Sequence, residues 1–260
     1  MNIEKYLNHI ADEETRKIIN KCIDKMEKTE RKFISNKTDF YDPYICNCIN
    51  DIAKFYDISV EFDGFFYEAE RKRIIFSPLY LENKLEEVVC IEFNRKNLNI
   101  AHKDVLGALL NIGIKREKTG DIRISDECVQ FAVAKELEQF IISNFVRLKN
   151  YKINCFVCDN NKPKKNIQKF EIKENSVGSL RCDSIVAVAY NISRSKSQNL
   201  IEKGYLKIDF RPINKFETCD YSNGREKIFS LRGYGRISII DTGKRSKKNK
   251  FVIKIKKWID

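Results

Sequence analysis

The chain has 260 residues, 42% hydrophobic and 11% aromatic, which is enough to build cores and too apolar for a disordered chain. Its formal net charge is +12, and residues 181–260 hold 19 Lys plus Arg against 8 Asp plus Glu, or +11, so one terminal module is cationic and the rest is close to neutral. Charge segregated in this way marks a nucleic-acid binder. No run of about 18 apolar residues offers a membrane span, the N-terminus lacks the order of a signal peptide, and nine scattered cysteines fit a reducing cytoplasm better than a disulfide framework.

Residues 3–32 carry Ile3, Tyr6, Leu7 and Ile10, then Ile18, Ile19, Cys22, Ile23 and Met26 at helical spacing. Asp12 is the N-cap that divides this segment into two helices. Residues 44–56 form another amphipathic helix, entered at Pro43, where a first helical turn accepts proline. The period then changes. Val60, Phe62 and Phe66 alternate with polar residues, and Ile74, Ile75 and Phe76 follow a charged turn from Glu70 to Arg73. This hairpin closes a small α+β domain over residues 1–79.

Residues 80–178 have a different rhythm: a strand at 88–93, a helix at 102–112 ending at Gly113, strands at 121–125 and 128–133, a helix at 134–148 and a strand at 152–158. The order β-α-β-β-α-β is the split βαβ arrangement of ferredoxin-like folds. RNA-binding domains of the RRM type share it, although their aromatic stacking signature is absent. The polar stretch 160–165 reads as a hinge or a hairpin tip. Ile167, Phe170 and Ile172 return to alternation before a boundary near 175–179.

In the cationic module, residues 181–189 read as a short apolar helix. Ser193 caps a second helix at 194–203, and Gly204 sits where a C-cap glycine belongs. Residues 205–210 alternate as a strand that Arg211 and Pro212 turn. A strand at 228–232 follows, Gly233 and Gly235 permit a bulge or sharp bend, and 237–240 continues it. Residues 251–258 close the module with Val252, Ile253, Ile255 and Trp258 set against lysines.

Two short helices followed by a strand-turn-strand unit, with Arg181-Cys182-Asp183, Ser193-Arg194-Ser195-Lys196-Ser197 and the run from Leu200 to Ile208, resemble the S4 RNA-binding fold. A basic residue opens each helix, and a helix N-terminus adds partial positive charge for phosphates. The expected fold class is therefore α+β in three modules: the small N-terminal domain (1–79), a ferredoxin/RRM-like domain (80–178), and an S4 domain with a C-terminal β extension (179–260).

A more specific resemblance runs through all three modules. His102-Lys103-Asp104-Val105-Leu106-Gly107-Ala108-Leu109-Leu110 and the stretch Gly113 to Ile122 look like the signature of the bacterial YlmH family. So do Glu68-Ala69-Glu70-Arg71-Lys72-Arg73 and Ser230-Leu231-Arg232-Gly233-Tyr234-Gly235-Arg236. The resemblance implies a cytoplasmic, monomeric RNA-binding factor on the large ribosomal subunit. It would contact rRNA and tRNA, act in rescue or quality control of stalled translation alongside other such factors, and have no membrane partner.

The RNA-binding candidates are Arg181, Ser193, Arg194, Ser195, Lys196, Lys203, Lys207, Arg211, Arg232, Arg236, Lys244, Arg245, Lys247 and Lys248. The guanidinium groups of Arg181 and Arg194 would fork onto phosphates from one face. The alternative for Arg181 is an internal pair with Asp183 or Glu202. Lys115, Arg116 and Lys118 form a secondary RNA-facing loop or a solvated turn.

Candidate chemistry is thin. Cys155-x-x-Cys158 is half of a zinc site at most, since a structural zinc takes four ligands. His102 with Asp104 sits at a helix start, where capping is the simpler role. Ser193-x-x-Lys196 lacks the companion motifs of an acyl-enzyme, and Gly233-x-Gly235 lacks the third glycine of a dinucleotide site. The expectation is no catalytic residue, no metal and no cofactor. The competing readings are an RNA-modifying enzyme targeted by an S4 domain, and an adaptor whose N-terminal domains recruit a protein partner.

Overall fold

Aspartates start the first long helices. The computed structural model describes residues 3–8, 10, 12–81, 86–95, 98–158, 169–221 and 224–259, so the segment 160–165 and His9 lie outside it. Helix α1 (Ile3–Asn8) is followed by α2 (Glu13–Lys32). The Asp12 carboxylate accepts the Thr15 N–H at 2.7 Å and divides the two, as its cap position dictates. Asp42 accepts the Ile45 N–H at 3.1 Å and starts α3 (Pro43–Ala53).

The architecture is mixed α and β, divided into two compact units, Met1–Ile167 and Gln168–Asp260. In the first unit, α2 and α3 pack on an antiparallel sheet of β1 (Asn36–Tyr41), β2 (Ile58–Asp63) and β3 (Lys72–Pro78), ordered β1-β3-β2. Ile19, Cys22 and Met26 of α2 meet Ile49 and Ile52 of α3 and Ile74 and Phe76 of β3. The hairpin β2–β3 follows the alternation in the sequence. Strand β1 has no such signal, because one of its two buried positions is Thr38, whose hydroxyl accepts the Ile74 N–H at 2.9 Å.

The second sheet of this unit contains β4 (Val88–Asn94), β5 (Thr119–Ile124), β6 (Cys128–Ala134) and, further on, Phe156–Val157. Helix α4 (His102–Asn111) lies between the first two strands. The helix expected over 134–148 is shorter. A 3₁₀ turn, Lys135–Leu137, leads into α5 (Glu138–Asn144), and the chain then forms a ribbon of β7 (Arg147–Leu148) with β8 (Tyr151–Lys152), turning at Lys149 with φ +53°. Phe145 and Leu148 still enter the core under the sheet, so their spacing satisfied a helical period without a helical backbone. The strand expected over 152–158 is likewise divided. Its first part belongs to the ribbon, and Phe156–Val157, β9, joins β4. The sheet order is β5-β6-β4-β9 with antiparallel neighbours, the split βαβ order. Helices α4 and α5 cover one face through Val105, Leu109 and Ile141.

The other face meets the first sheet. Phe40, Phe66 and Ala69 pack on Val88, Cys90, Ala132, Ala134 and Cys158. Arg73, 1% exposed, donates to the carbonyls of Thr38 and Glu87, both at 2.8 Å, and to the Glu136 carboxylate at 2.9 and 3.1 Å. Arg71 donates to the carbonyls of Phe40 at 2.6 Å and Thr119 at 3.1 Å. The N–H groups of Glu70 and Arg71 donate to the Asp121 carboxylate at 2.7 and 3.1 Å. Gly120 permits this approach, since a Cβ there would stand 2.8 Å from the Phe40 ring and 2.9 Å from the Ala132 Cβ. The charged turn from Glu70 to Arg73 is thus a joint between two sheets.

The second unit has one antiparallel sheet of β10 (Lys169–Val177), β11 (Leu206–Ile208), β12 (Arg211–Ile213), β13 (Lys227–Leu231), β14 (Gly235–Arg245) and β15 (Phe251–Ile259), ordered β10-β15-β14-β13-β11-β12. Strand β10, which the sequence reading places before the 178/179 boundary, pairs along its full length with β15. Helices α6 (Cys182–Ala189) and α7 (Arg194–Glu202) cover one face, where Ile185, Val186 and Ile201 meet Phe229, Ile237 and Ile253. Gly204 follows α7 with φ +70°, the left-handed conformation that ends a helix.

The turn after β11 differs from expectation. Asp209 and Phe210, with φ +48° and +68°, make a two-residue hairpin, and Arg211-Pro212 lies in β12. Both central residues of such a turn need positive φ, which the proline ring forbids. Pro212 instead occupies an edge strand, where a missing N–H is tolerated. No helix among the described residues is long and apolar enough to cross a membrane.

Candidate nucleic-acid interface

One buried carboxylate organises the start of both short helices. Asp183, with its side chain at 0% exposure, accepts Arg181 Nε and Nη2 at 3.0 and 3.3 Å, Arg194 Nε at 3.0 Å and Gln198 Nε2 at 3.0 Å. Its backbone carbonyl accepts the Ser197 hydroxyl at 2.9 Å. Burial by itself would raise the Asp183 pKa, but the hydrogen bonds from Arg181, Gln198 and Arg194 outweigh it and bring the carboxyl down to about 2. The internal pair weighed for Arg181 therefore forms with Asp183, and Arg194 shares it.

The pairing does not hide the arginines. The side chains of Arg181 and Arg194 remain 39% and 57% exposed, so Asp183 fixes two guanidinium groups at the surface and orients both from behind. Arg181 is held further by an isolated bridge to Thr218 and by Phe216, whose ring centre is 5.6 Å from its guanidinium carbon. The Ser193 hydroxyl accepts the Lys196 N–H at 3.2 Å, as its cap position predicts.

Aromatic contacts bring a hairpin to the same helices. Lys196 Nζ stands 5.5 Å from the Tyr234 ring centre, and Tyr234 packs edge-on against Tyr190 at 5.9 Å. The Tyr190 hydroxyl lies 3.1 Å from the carbonyls of Phe229 and Gly235 and donates to them. Arg232 leans over Tyr205 at 5.2 Å.

The predicted RNA-binding residues therefore fall into separate places. Arg181, Ser193, Arg194, Ser195 and Lys196 gather around the helix starts, with the Arg232–Tyr234 hairpin beside them. Lys203 caps the far end of α7. Arg211 pairs with Glu217. Lys207 and Arg236 belong to the other face of the sheet, through the register Lys207↔Ser230↔Arg236. Lys244 and Arg245 end β14, and Lys247 and Lys248 are exposed at the hairpin tip, with Arg245 3.3 Å above Phe251.

The secondary loop is largely turned inward. Arg116 donates to the Thr119 carbonyl and hydroxyl, both at 2.8 Å, and burial together with nearby Arg71 pushes its guanidinium down to about 10. Lys118 pairs with Asp39 at 2.7 Å and Glu136 at 3.2 Å, which leaves Lys115 exposed.

Asp183 as a hub, and Gln198 with it, were missed as functional positions. The available signal was the spacing that sets Arg194, Ser197 and Gln198 on one side of α7, toward a neighbouring acid.

The thiols and the histidine motif serve the core and a cap. Cys155 donates to the Phe145 carbonyl at 3.4 Å, Cys158 accepts Gln130 Nε2 at 3.1 Å, and burial pushes these thiols up to about 12 and about 11. Asp104 accepts the Ala101 N–H at 2.8 Å and pairs with Lys149 at 2.6 Å, which is a capping arrangement.

Family models place the chain. One described as "YlmH, N-terminal" matches residues 14–81, and one described as "Putative RNA-binding domain in YlmH" matches residues 83–162. The chain belongs to the YlmH family. It is similar to the Bacillus subtilis (strain 168) protein named Ribosome-associated protein quality control protein P2, with 28% identity over 243 residues, 91% of this chain and 92% of that protein. Among solved structures it resembles the cell division protein ylmH from Streptococcus pneumoniae in fold, with a TM-score of 0.51 and 21% identity over 58% of this chain and 94% of that one.

Proposed function

We propose that this protein is a non-enzymatic RNA-binding factor that works on the large ribosomal subunit in the rescue of stalled translation, gripping rRNA and tRNA through an S4 domain at residues 179–260. The observation that carries this reading is the Asp183 hub. A buried carboxylate that holds two exposed arginines, next to the capped N-terminus of α7 with its lysine, is a preorganised phosphate grip: the guanidinium forks are oriented before RNA arrives, so little ordering remains. The +11 balance of residues 181–260, the RNA-binding description of the family model over 83–162, and the quality-control name of the Bacillus relative support the same reading. The layout is three modules, the first two fixed to one another by the Arg73 joint, in a cytoplasmic monomer.

The test must spare Asp183, because removing both arginines would strand a buried charge. The full-length Arg194→Gln variant keeps a donor for Asp183 and loses the cation. It is expected to bind large subunits and structured RNA at least tenfold more weakly, with the salt slope reduced by about one. Wild-type affinity and slope in the folded variant would sink the helix-face assignment. Mass spectrometry of rRNA from cells with and without the protein tests the non-enzymatic part. A modification that disappears with the protein would overturn it.

A further inference from the structure

The six-stranded sheet of the second unit has a face that its helices do not cover. Residues paired across antiparallel strands share a face, and the strand registers build a row across the sheet: Phe170↔Trp258 between β10 and β15, Ser230↔Arg236 between β13 and β14, then Lys207↔Ser230 and Lys207↔Pro212 at the far strands. Arg236 closes the gap between β14 and β15, its guanidinium carbon 5.3 Å from the Trp258 ring centre. At about 4.8 Å per strand the row is roughly 24 Å long. The alternating neighbours Ile237, Leu231 and Ile208 point into the helix-covered core, so this row faces away from the helices.

The chemistry of the row is aromatic and cationic. Phe170 is 48% exposed, and Lys256 Nζ stands 5.2 Å from its ring centre. Arg236 lies between Trp258 and Phe210, the latter at 5.0 Å. The row contains two basic residues and no acidic one. In the next row Lys256 is balanced by Glu226 at 3.0 Å. Rings set beside positive charge on an open sheet match a ligand with flat π-faces joined by anionic links.

We propose that this open face is a stacking platform for the unpaired bases of a single-stranded RNA segment. Bases lie on Phe170 and Trp258, and Arg236 and Lys207 meet the phosphates between them. This surface is separate from the helix-face grip and lies on the opposite side of the same sheet.

Trp258 is the sole tryptophan of the chain, so its emission reports on this face in the full-length protein. A 12-nucleotide oligouridylate should quench it to saturation, and inorganic polyphosphate of the same length should not. Phe170→Leu keeps apolar volume and removes the ring. It should weaken oligouridylate binding between about fivefold and a hundredfold, the range for one lost base–aromatic stack. Arg194→Gln should leave the quench unchanged while it weakens a stem-loop RNA, so the two surfaces fail separately. Absence of quenching would overturn the proposal. Equal quenching by polyphosphate, or wild-type affinity in Phe170→Leu, would overturn it as well.

Discussion

The four-stranded and six-stranded sheets each have helices on one side, and they differ on the other. In the β5-β6-β4-β9 sheet the second face is closed by Phe40, Phe66 and Ala69, and the strand residues beneath are small: Cys90, Ala132 and Ala134. In the β10-β15-β14-β13-β11-β12 sheet the second face carries lysine, arginine and rings. Every residue of β6 is buried, whereas β15 alternates buried isoleucines with lysines. A strand covered on both faces reads as a continuous apolar run, and a strand with one free face alternates. RRM-type domains stack bases on the face opposite their helices. Here the middle module has given much of that face to its neighbour, whereas the helices of the C-terminal unit lie on one face of its sheet alone.

The comparison can be broken most severely at the joint. Arg73→Met leaves Glu136 and Glu87 without their buried partner. It should cost about 3–5 kcal/mol, read as a lower denaturant midpoint for the first unit with the second unit unmoved. Equal loss in both units would mean that the joint is not local. Gly120→Val forces a side chain against Phe40 and Ala132. The expected cost is about 1–3 kcal/mol by overpacking, again confined to the first unit, and a thermal melt like wild type would refute the close approach.

On the open sheet the acid response is sharper than the sequence implies. The folded Asp183 carboxyl sits near 2, below its ordinary value of 3.8. Its stabilisation is therefore complete above about pH 4 and fades as pH falls toward 2, by about 2 kcal/mol at most. Asp183→Asn should flatten that part of the second unit's stability profile. An unchanged profile would show that the hub does not couple to folding. The smallest effect is expected at the hairpin tip. Lys247→Gln with Lys248→Gln should leave the melting temperature alone and reduce the salt slope of RNA binding by about two if both contact phosphate. An unchanged slope would remove the tip from the interface.

Much of this was legible in residue order. Asp12, Pro43, Ser193 and Gly204 mark helix ends by chemistry that acts within a few residues, and the sequence reading places all of them. The segment 134–148 was misread because Phe145 and Leu148 reach the core from a ribbon as well as they would from a helix. Strand β1 was invisible because Thr38 earns its buried place by hydrogen bonding, which hydrophobic periodicity does not register. The Asp183 hub joins residues from two helices, and Arg73 joins two sheets. Such partners are set by packing across long separations in the chain. The basic residues of the cationic module stand in the sequence as one set, whereas the register that sends Arg236 and Lys207 to one face and Arg194 to the other is a property of strand pairing.

The pairing of β10 with β15 has a consequence for synthesis. The first strand of the second unit has one neighbour, and that neighbour is made roughly 75 residues later, a long loop to close. While the chain emerges, α6, α7 and the inner strands can assemble in order, but Phe170 and Ile172 must wait unpaired. A chain cut short before Phe251 would keep its two arginines in place around Asp183 and leave a bare, sticky edge strand beside them.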